Sequence, residues 1–260
     1  MSDSVTFLGT SDGLQSPDRY HASLLLRLGG QTILLDCGEP CSHTLKRMGV
    51  NFNSLDAVIV KHTNTDHVGG LPMLLQSLWL EERTRPLPLW LPRHAISPFQ
   101  EWMHACYLFE PLFRFRIQWR AISAGKASRL GGVRFRAFRT THLDGVRSKF
   151  ARKFPRVAFD PFCALFESGG KRIGYSADIG KPSDLAPLSK QPLDLLVVEL
   201  AHFHPYDLIA FLRERKVKQV AVTHMAREAR DRVSEVRALF AERLRSCRVR
   251  LVQDGETIRL

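Results

Sequence analysis

Residues 58–72, VIVKHTNTDHVGGLP, hold His62, Asp66 and His67 within six positions, directly after a β-branched apolar run. Imidazole nitrogen and carboxylate oxygen are the ligand types that suit zinc and related divalent ions. The run reads as a buried strand, Gly69-Gly70 as a turn into a helix, and the polar cluster as the loop between them. Loops at strand ends are where α/β sheets place their chemistry. Taken alone, the cluster fits a polar loop with locally satisfied histidines equally well. The same ligand types recur, however, at three further strand ends: His142 just after Thr140-Thr141, Asp178 in GYSADIG, and His224 directly after VKQVAVT. Chance does not readily produce four such loops.

The elements that must position these residues follow from local pattern. Residues 5–8 read as a strand running into the turn-rich GTSDG. Residues 21–28 and 31–36 form a hairpin around Gly29-Gly30, and residues 161–167 and 171–175 a second one around Ser168-Gly169-Gly170. Further strands are expected at 56–60, 86–92, 113–119, 133–138, 193–199 and 217–223. Helices are expected at 42–48, 68–80, 96–109, 205–215 and, as the longest, 226–244. The C-terminal residues 249–260 read as a hairpin closed by Asp254-Gly255. Strands and helices alternate in blocks, which suits two stacked sheets between helices, one domain over residues 1–260.

Composition narrows the function classes. A net charge of +12 and a pI near 9.9 favour phosphate-bearing or polyanionic partners. No apolar run is long enough to cross a bilayer, and the N-terminal MSDSVTFLGT lacks a secretory pattern, so a cytoplasmic protein is expected. Five scattered cysteines argue against a disulfide framework. Cys37 and Cys41, without a second pair, are expected to pack rather than bind metal.

The stretches FLGTSDG with Arg19 after it, TILLDCGEP, VIVKHTNTDHVGGLPMLL, the lone His142, GYSADIGKPSDL and VAVTHM resemble the metallo-β-lactamase superfamily. Within it they are most similar to the ribonuclease Z group of phosphodiesterases, and they occur in that group's order. The resemblance implies a four-layer αββα sandwich with the site along one edge. It assigns His62, position 64 and His142 to one metal, and Asp66, His67 and His224 to a second, with Asp178 bridging. It further implies one or two zinc ions, a hydroxide held between them as nucleophile, and catalysis resting on Asp66, His202 and Glu199. His202 would be the general acid oriented by Glu199; His204 is a rival for that role. A homodimer is a weaker implication.

Two departures qualify that picture. The family's His-x-His-x-Asp-His motif is here His62-Thr63-Asn64-Thr65-Asp66-His67. A neutral amide oxygen is a poor zinc ligand, more tolerable for manganese or another harder ion, so the first site is expected to be weakened. Ribonuclease Z enzymes also grip tRNA with a long arm, often between the third histidine and the bridging aspartate. The interval 142–178 has no room for one, so tRNA processing is not expected. That interval is instead basic, with Arg147, Lys149, Arg152, Lys153 and Arg156, and carries Phe150 and Phe154. The expected function is a metal-dependent hydrolase acting on a phosphodiester in a nucleotide, cyclic phosphate or RNA-type substrate. The alternative is a catalytically impaired scaffold of the same fold that binds a ligand or nucleic acid.

Overall fold

A computed structural model describes residues 2–260. In chain order β1 (Ser4–Gly9), β2 (Ser23–Leu28), β3 (Gln31–Leu35), β4 (Ala57–Ile59), β5 (Leu87–Pro92) and β6 (Ile117–Ile122) build one sheet. A second sheet takes β7 (Ala127–Leu130), β8 (Val133–Arg139), β9 (Phe162–Ser168), β10 (Lys171–Tyr175), β11 (Leu193–Leu200), β12 (Val217–Met225) and β13 (Arg248–Leu251). The last strand, β14 (Thr257–Arg259), returns to the first sheet. The spatial orders are β14-β1-β2-β3-β4-β5-β6 and β13-β12-β11-β10-β9-β8-β7.

The apolar strand runs are continuous because both faces are covered. Val5, Phe7, Leu24, Leu26 and Ile33 meet Phe135, Phe166, Ile173, Leu195 and Val197 between the sheets. On the outer face of the first sheet lie α1 (Cys41–Arg47), α2 (Thr65–Val68), α3 (Leu71–Leu80) and α4 (Ile96–Ala105). α3 buries Leu71, Leu74, Leu75 and Leu78, a helical stripe, each contributing about 1.5–3 kcal/mol. This anchors the end of the His62–His67 loop. Helix α5 (Asp144–Phe150) buries no side chain, while the second sheet carries α6 (Pro205–Arg213), α7 (Arg227–Asp231) and α8 (Val233–Arg243), with Leu208, Leu212, Val236 and Phe240 packed on its outer face. The result is the expected αββα sandwich.

Three expected elements differ. Residues 249–260 are not a hairpin: β13 pairs in parallel with β12, and β14 pairs antiparallel with β1. The turn between them is tied down, since the Asp254 carboxylate accepts from Thr10 Oγ1 and the Tyr20 amide, both at 2.6 Å. The chain therefore crosses from one sheet to the other there. The long helix over 226–244 breaks at Arg232 (φ −113°, ψ 33°) into α7 and α8. The strand expected at 113–119 begins only at Ile117, because Phe113 and Phe115 stack (5.1 Å between centroids, 7°) and fill the helix-side core. Helix α5 and strand β7 were not anticipated. Cys37 and Cys41 are buried free thiols with sulfurs 2.8 Å apart, packed in the core beneath α1 and α3.

Candidate metal centre

The ligand-type side chains stand at the C-terminal ends of β4, β8, β10 and β12, along one edge of the sandwich. Asp36, which follows β3, stands behind them. Three of these ends place a non-glycine residue at positive φ: Asp36 (57°), Ala177 (46°) and His224 (47°). Each such residue costs on the order of 1–3 kcal/mol, which surrounding contacts must hold in place. The His224 amide donates to the Thr10 carbonyl at 3.0 Å, and Thr140 Oγ1 donates to the Asp178 carbonyl at 3.0 Å. Gly38 and Gly180 mark backbone close approaches: a Cβ would collide with the Asp66 carbonyl at one and with Thr141 at the other.

Asp178 is the hub. Its Oδ1 lies 2.9 Å from His67 Nε2 and 3.3 Å from His224 Nε2, and its Oδ2 lies 3.5 Å from His62 Nε2 and 3.6 Å from His142 Nε2. Asp66 Oδ2 is 3.4 Å from His67 Nε2 and 3.7 Å from His224 Nε2. Two groups with converging ligand atoms result: Asp66, His67, Asp178 and His224, and beside them His62, His142 and the shared Asp178. Side chains distant in sequence thus meet within one coordination sphere.

The unpaired polar atoms test whether a cation fits. Nε2 of His62, His67 and His142 and Oδ1 of Asp178 are buried without a hydrogen-bond partner among the described residues. Leaving such atoms unsatisfied costs about 1–3 kcal/mol apiece. A divalent ion in each group would satisfy the atoms of that group, and the donor set of imidazoles and carboxylates is the right one. Burial alone would raise the Asp178 carboxyl, yet His224, His67 and His62 hold it well below the ordinary range. Burial also opposes charge on His67, but Asp178, Asp36 and Asp66 push it well above its usual value. The negative charge that draws protons onto these rings also draws a divalent cation, which displaces them.

Asn64 is placed differently from the rest. It is the N-cap of α2, exposed, and its side chain makes no capping hydrogen bond; its carbonyl accepts from the His67 amide at 2.9 Å. The candidate acid is set beside both groups: the His202 ring centroid is 4.5 Å from that of His142 and 6.3 Å from that of His224. Its Nδ1 lies 2.8 Å from both oxygens of the buried Glu199, whose carboxylate also accepts from the amides of Ile179, Ala201 and His202. His204 instead stacks on Tyr206 (5.3 Å, 2°) and caps α6.

Reasoning from sequence missed the support behind His67. Its Nδ1 meets Asp36 Oδ2 at 3.0 Å, fixing the ring so that Nε2 faces Asp178. Asp36 also accepts from Tyr175 OH at 2.8 Å and the Lys61 amide at 2.9 Å. The Lys61 ammonium, fully buried, sits 3.2 Å from Asp36 Oδ1 and 4.0 Å from the Tyr175 ring centroid. Burial lowers its pKa to about 8 despite the Asp36 charge. The one available signal was a lone cation closing an apolar strand. Lys61→Met should therefore cost about 3–5 kcal/mol in denaturant unfolding, because it leaves Asp36 without its cation. Adding Asp36→Asn should recover part of that loss. A loss below about 1 kcal/mol would show that the pair is not coupled to the fold.

Of the arginines on β8, Arg134 and Arg136 pair with Glu167 at 2.8 and 3.8 Å, toward the end of the strand away from His142. Val146, Phe150 and Phe154 are exposed, whereas Phe159 and Phe162 are buried.

The family model described as Anti-Pycsar protein Apyc1 matches residues 4–201. The chain belongs to that family. The Apyc1 family segment covers the first sheet apart from β14, and all the candidate ligands except His224. Ribonuclease Z of Archaeoglobus fulgidus is 31% identical over 139 residues, 54% of this chain and 44% of that protein. The match thus spans less than half the length of that curated relative. Among solved structures, the metallo-beta-lactamase fold protein YhfI from Bacillus subtilis superposes with a TM-score of 0.78 at 18% identity, over 99% of both chains. The short form of human tRNase Z superposes with a TM-score of 0.73 at 20% identity, over 98% of both. These likenesses give this Apyc1-family chain the metallo-β-lactamase fold, and about half of the chain is similar to ribonuclease Z.

Proposed function

We propose that residues 1–260 act as one domain, a metal-dependent phosphodiesterase whose substrate is a nucleotide, a cyclic phosphate or an RNA-type end. The observation that carries this reading is the pair of ligand groups joined through Asp178. Asp66, His67, Asp178 and His224 hold the tighter ion; His62 and His142, with Asp178 shared, form a weaker half that Asn64 does not complete. A divalent ion in such a site supplies Lewis acidity and lowers the pKa of bound water toward about 7. Zinc suits the tighter group, and manganese or another hard ion suits the half lacking an imidazole at position 64. His202, held by Glu199, delivers a proton to the departing oxygen. The net charge of +12 favours a phosphate ester over a neutral one. Between His142 and Asp178 lie only α5, β9 and β10, which supports a substrate smaller than tRNA.

Protein purified without chelator should hold about one equivalent of metal per chain, and its hydrolysis of a chromogenic phosphodiester should rise on adding manganese. Asn64→His should move the metal content toward two equivalents and raise turnover by roughly an order of magnitude. If neither changes, position 64 does not serve the centre.

A further inference from the structure

Beside the centre, the ends of β5, β6 and β8 enclose a cavity of about 590 Å³ that shares no residue with either ligand group. That volume lies in the range of small-molecule sites. Its rim is cationic. Arg93 follows β5, Arg139 closes β8 three residues before His142, and Arg156 comes from the segment after α5. Arg139 is engaged by Asp160 at 3.3 Å and Asp144 at 3.7 Å. Among the described residues, neither Arg93 nor Arg156 has an acidic partner. Among the described residues Asp160 is the only acid lining the cavity, so the rim keeps an excess of positive charge. One wall is apolar, formed by Ile122 and Phe162, both buried. His94 also lines the cavity, and its buried Nδ1 has no hydrogen-bond partner among the described residues.

Two guanidinium groups without carboxylates, next to a buried apolar wall, match a ligand with an anionic end and a flat apolar body. Guanidinium forks pair well with phosphate oxygens, and a base offers a face to aliphatic and aromatic side chains. We infer that this cavity is a second phosphate site, distinct from the metal centre, that binds a mononucleotide. Arg93 and Arg156 hold its phosphate, and the wall of Ile122 and Phe162 receives its base. Lying beside His142, the site suits either a product that lingers after hydrolysis or a nucleotide that tunes the centre.

Calorimetric titration of the full chain, as purified, with AMP tests this. AMP carries no diester, so turnover does not intrude. The double variant R93A/R156A should weaken binding about tenfold or more. The same loss is expected in a His142→Ala background, where phosphate at the centre contributes less. Replacing Arg47 and Arg213, exposed arginines on other helices, should leave affinity unchanged. Metal content, measured alongside, should stay at the parental value in R93A/R156A. That separates failure of this site from failure of the metal centre. The inference is overturned if AMP does not bind saturably at millimolar concentration, or if R93A/R156A binds it as tightly as the parent. Inorganic phosphate binding as tightly as AMP would overturn the nucleotide assignment.

Discussion

Asp178→Asn should empty the centre and lower phosphodiester turnover by about 10³-fold or more, roughly 4 kcal/mol of transition-state stabilisation. The reason is geometric. One buried carboxylate has an oxygen within 2.9–3.6 Å of four imidazole nitrogens, and both ligand groups use it. Asparagine keeps the shape and removes the charge, so both groups lose the anion they share, and the His62–His142 group is left with neutral ligands alone. Metal analysis should show well under one equivalent, and the melting temperature should no longer respond to added zinc or manganese. A variant that retains full metal content would remove Asp178 from the coordination sphere.

His202→Ala should act on a different step and leave the metal in place. Loss of a positioned general acid costs about 10²–10⁴ in kcat. The deficit should be largest on an unactivated diester and small on a nitrophenyl ester, whose leaving group needs little protonation. The pH profile carries the sign. Burial alone would lower the His202 pKa, but the hydrogen bond and charge of Glu199 outweigh it and hold the ring above its ordinary value. In the proposed role the protonated ring is the active form, so the rate should fall as pH rises through that elevated pKa. Glu199→Gln removes the anion and should move that limb to lower pH. Loss of metal in His202→Ala, or an unmoved limb in Glu199→Gln, would contradict the role.

What the sequence could and could not reveal divides along local and non-local lines. The hairpins β2–β3 and β9–β10 were legible because Gly29-Gly30 and Gly169-Gly170 supply two consecutive positive φ angles, the backbone a two-residue hairpin needs. Asp254-Gly255 reads as the same kind of signal, yet its flanking strands join different sheets, since strand partners are chosen by the whole sandwich and not by the turn. The apolar period of residues 226–244 continues through Arg232, so nothing local announced the break. The recurrence of His and Asp at strand ends pointed to the candidate ligand cluster, because the sheets bring those ends to one edge. Spacing before His224 favours His202 over His204 but leaves His204 a rival. Pro205 opens α6 and leaves His204 as its cap, while Glu199 holds His202 at the centre. The inward placement of Lys61 was also hidden, because a cation at a strand end ordinarily reaches solvent.

Anomalous diffraction at the zinc edge, on crystals of protein prepared without chelator, tests the central claim most directly. A strong peak should lie among Asp66, His67, Asp178 and His224, with a weaker one or none between His62 and His142. A folded protein with no peak among those four side chains would contradict the metal centre and the hydrolase built on it.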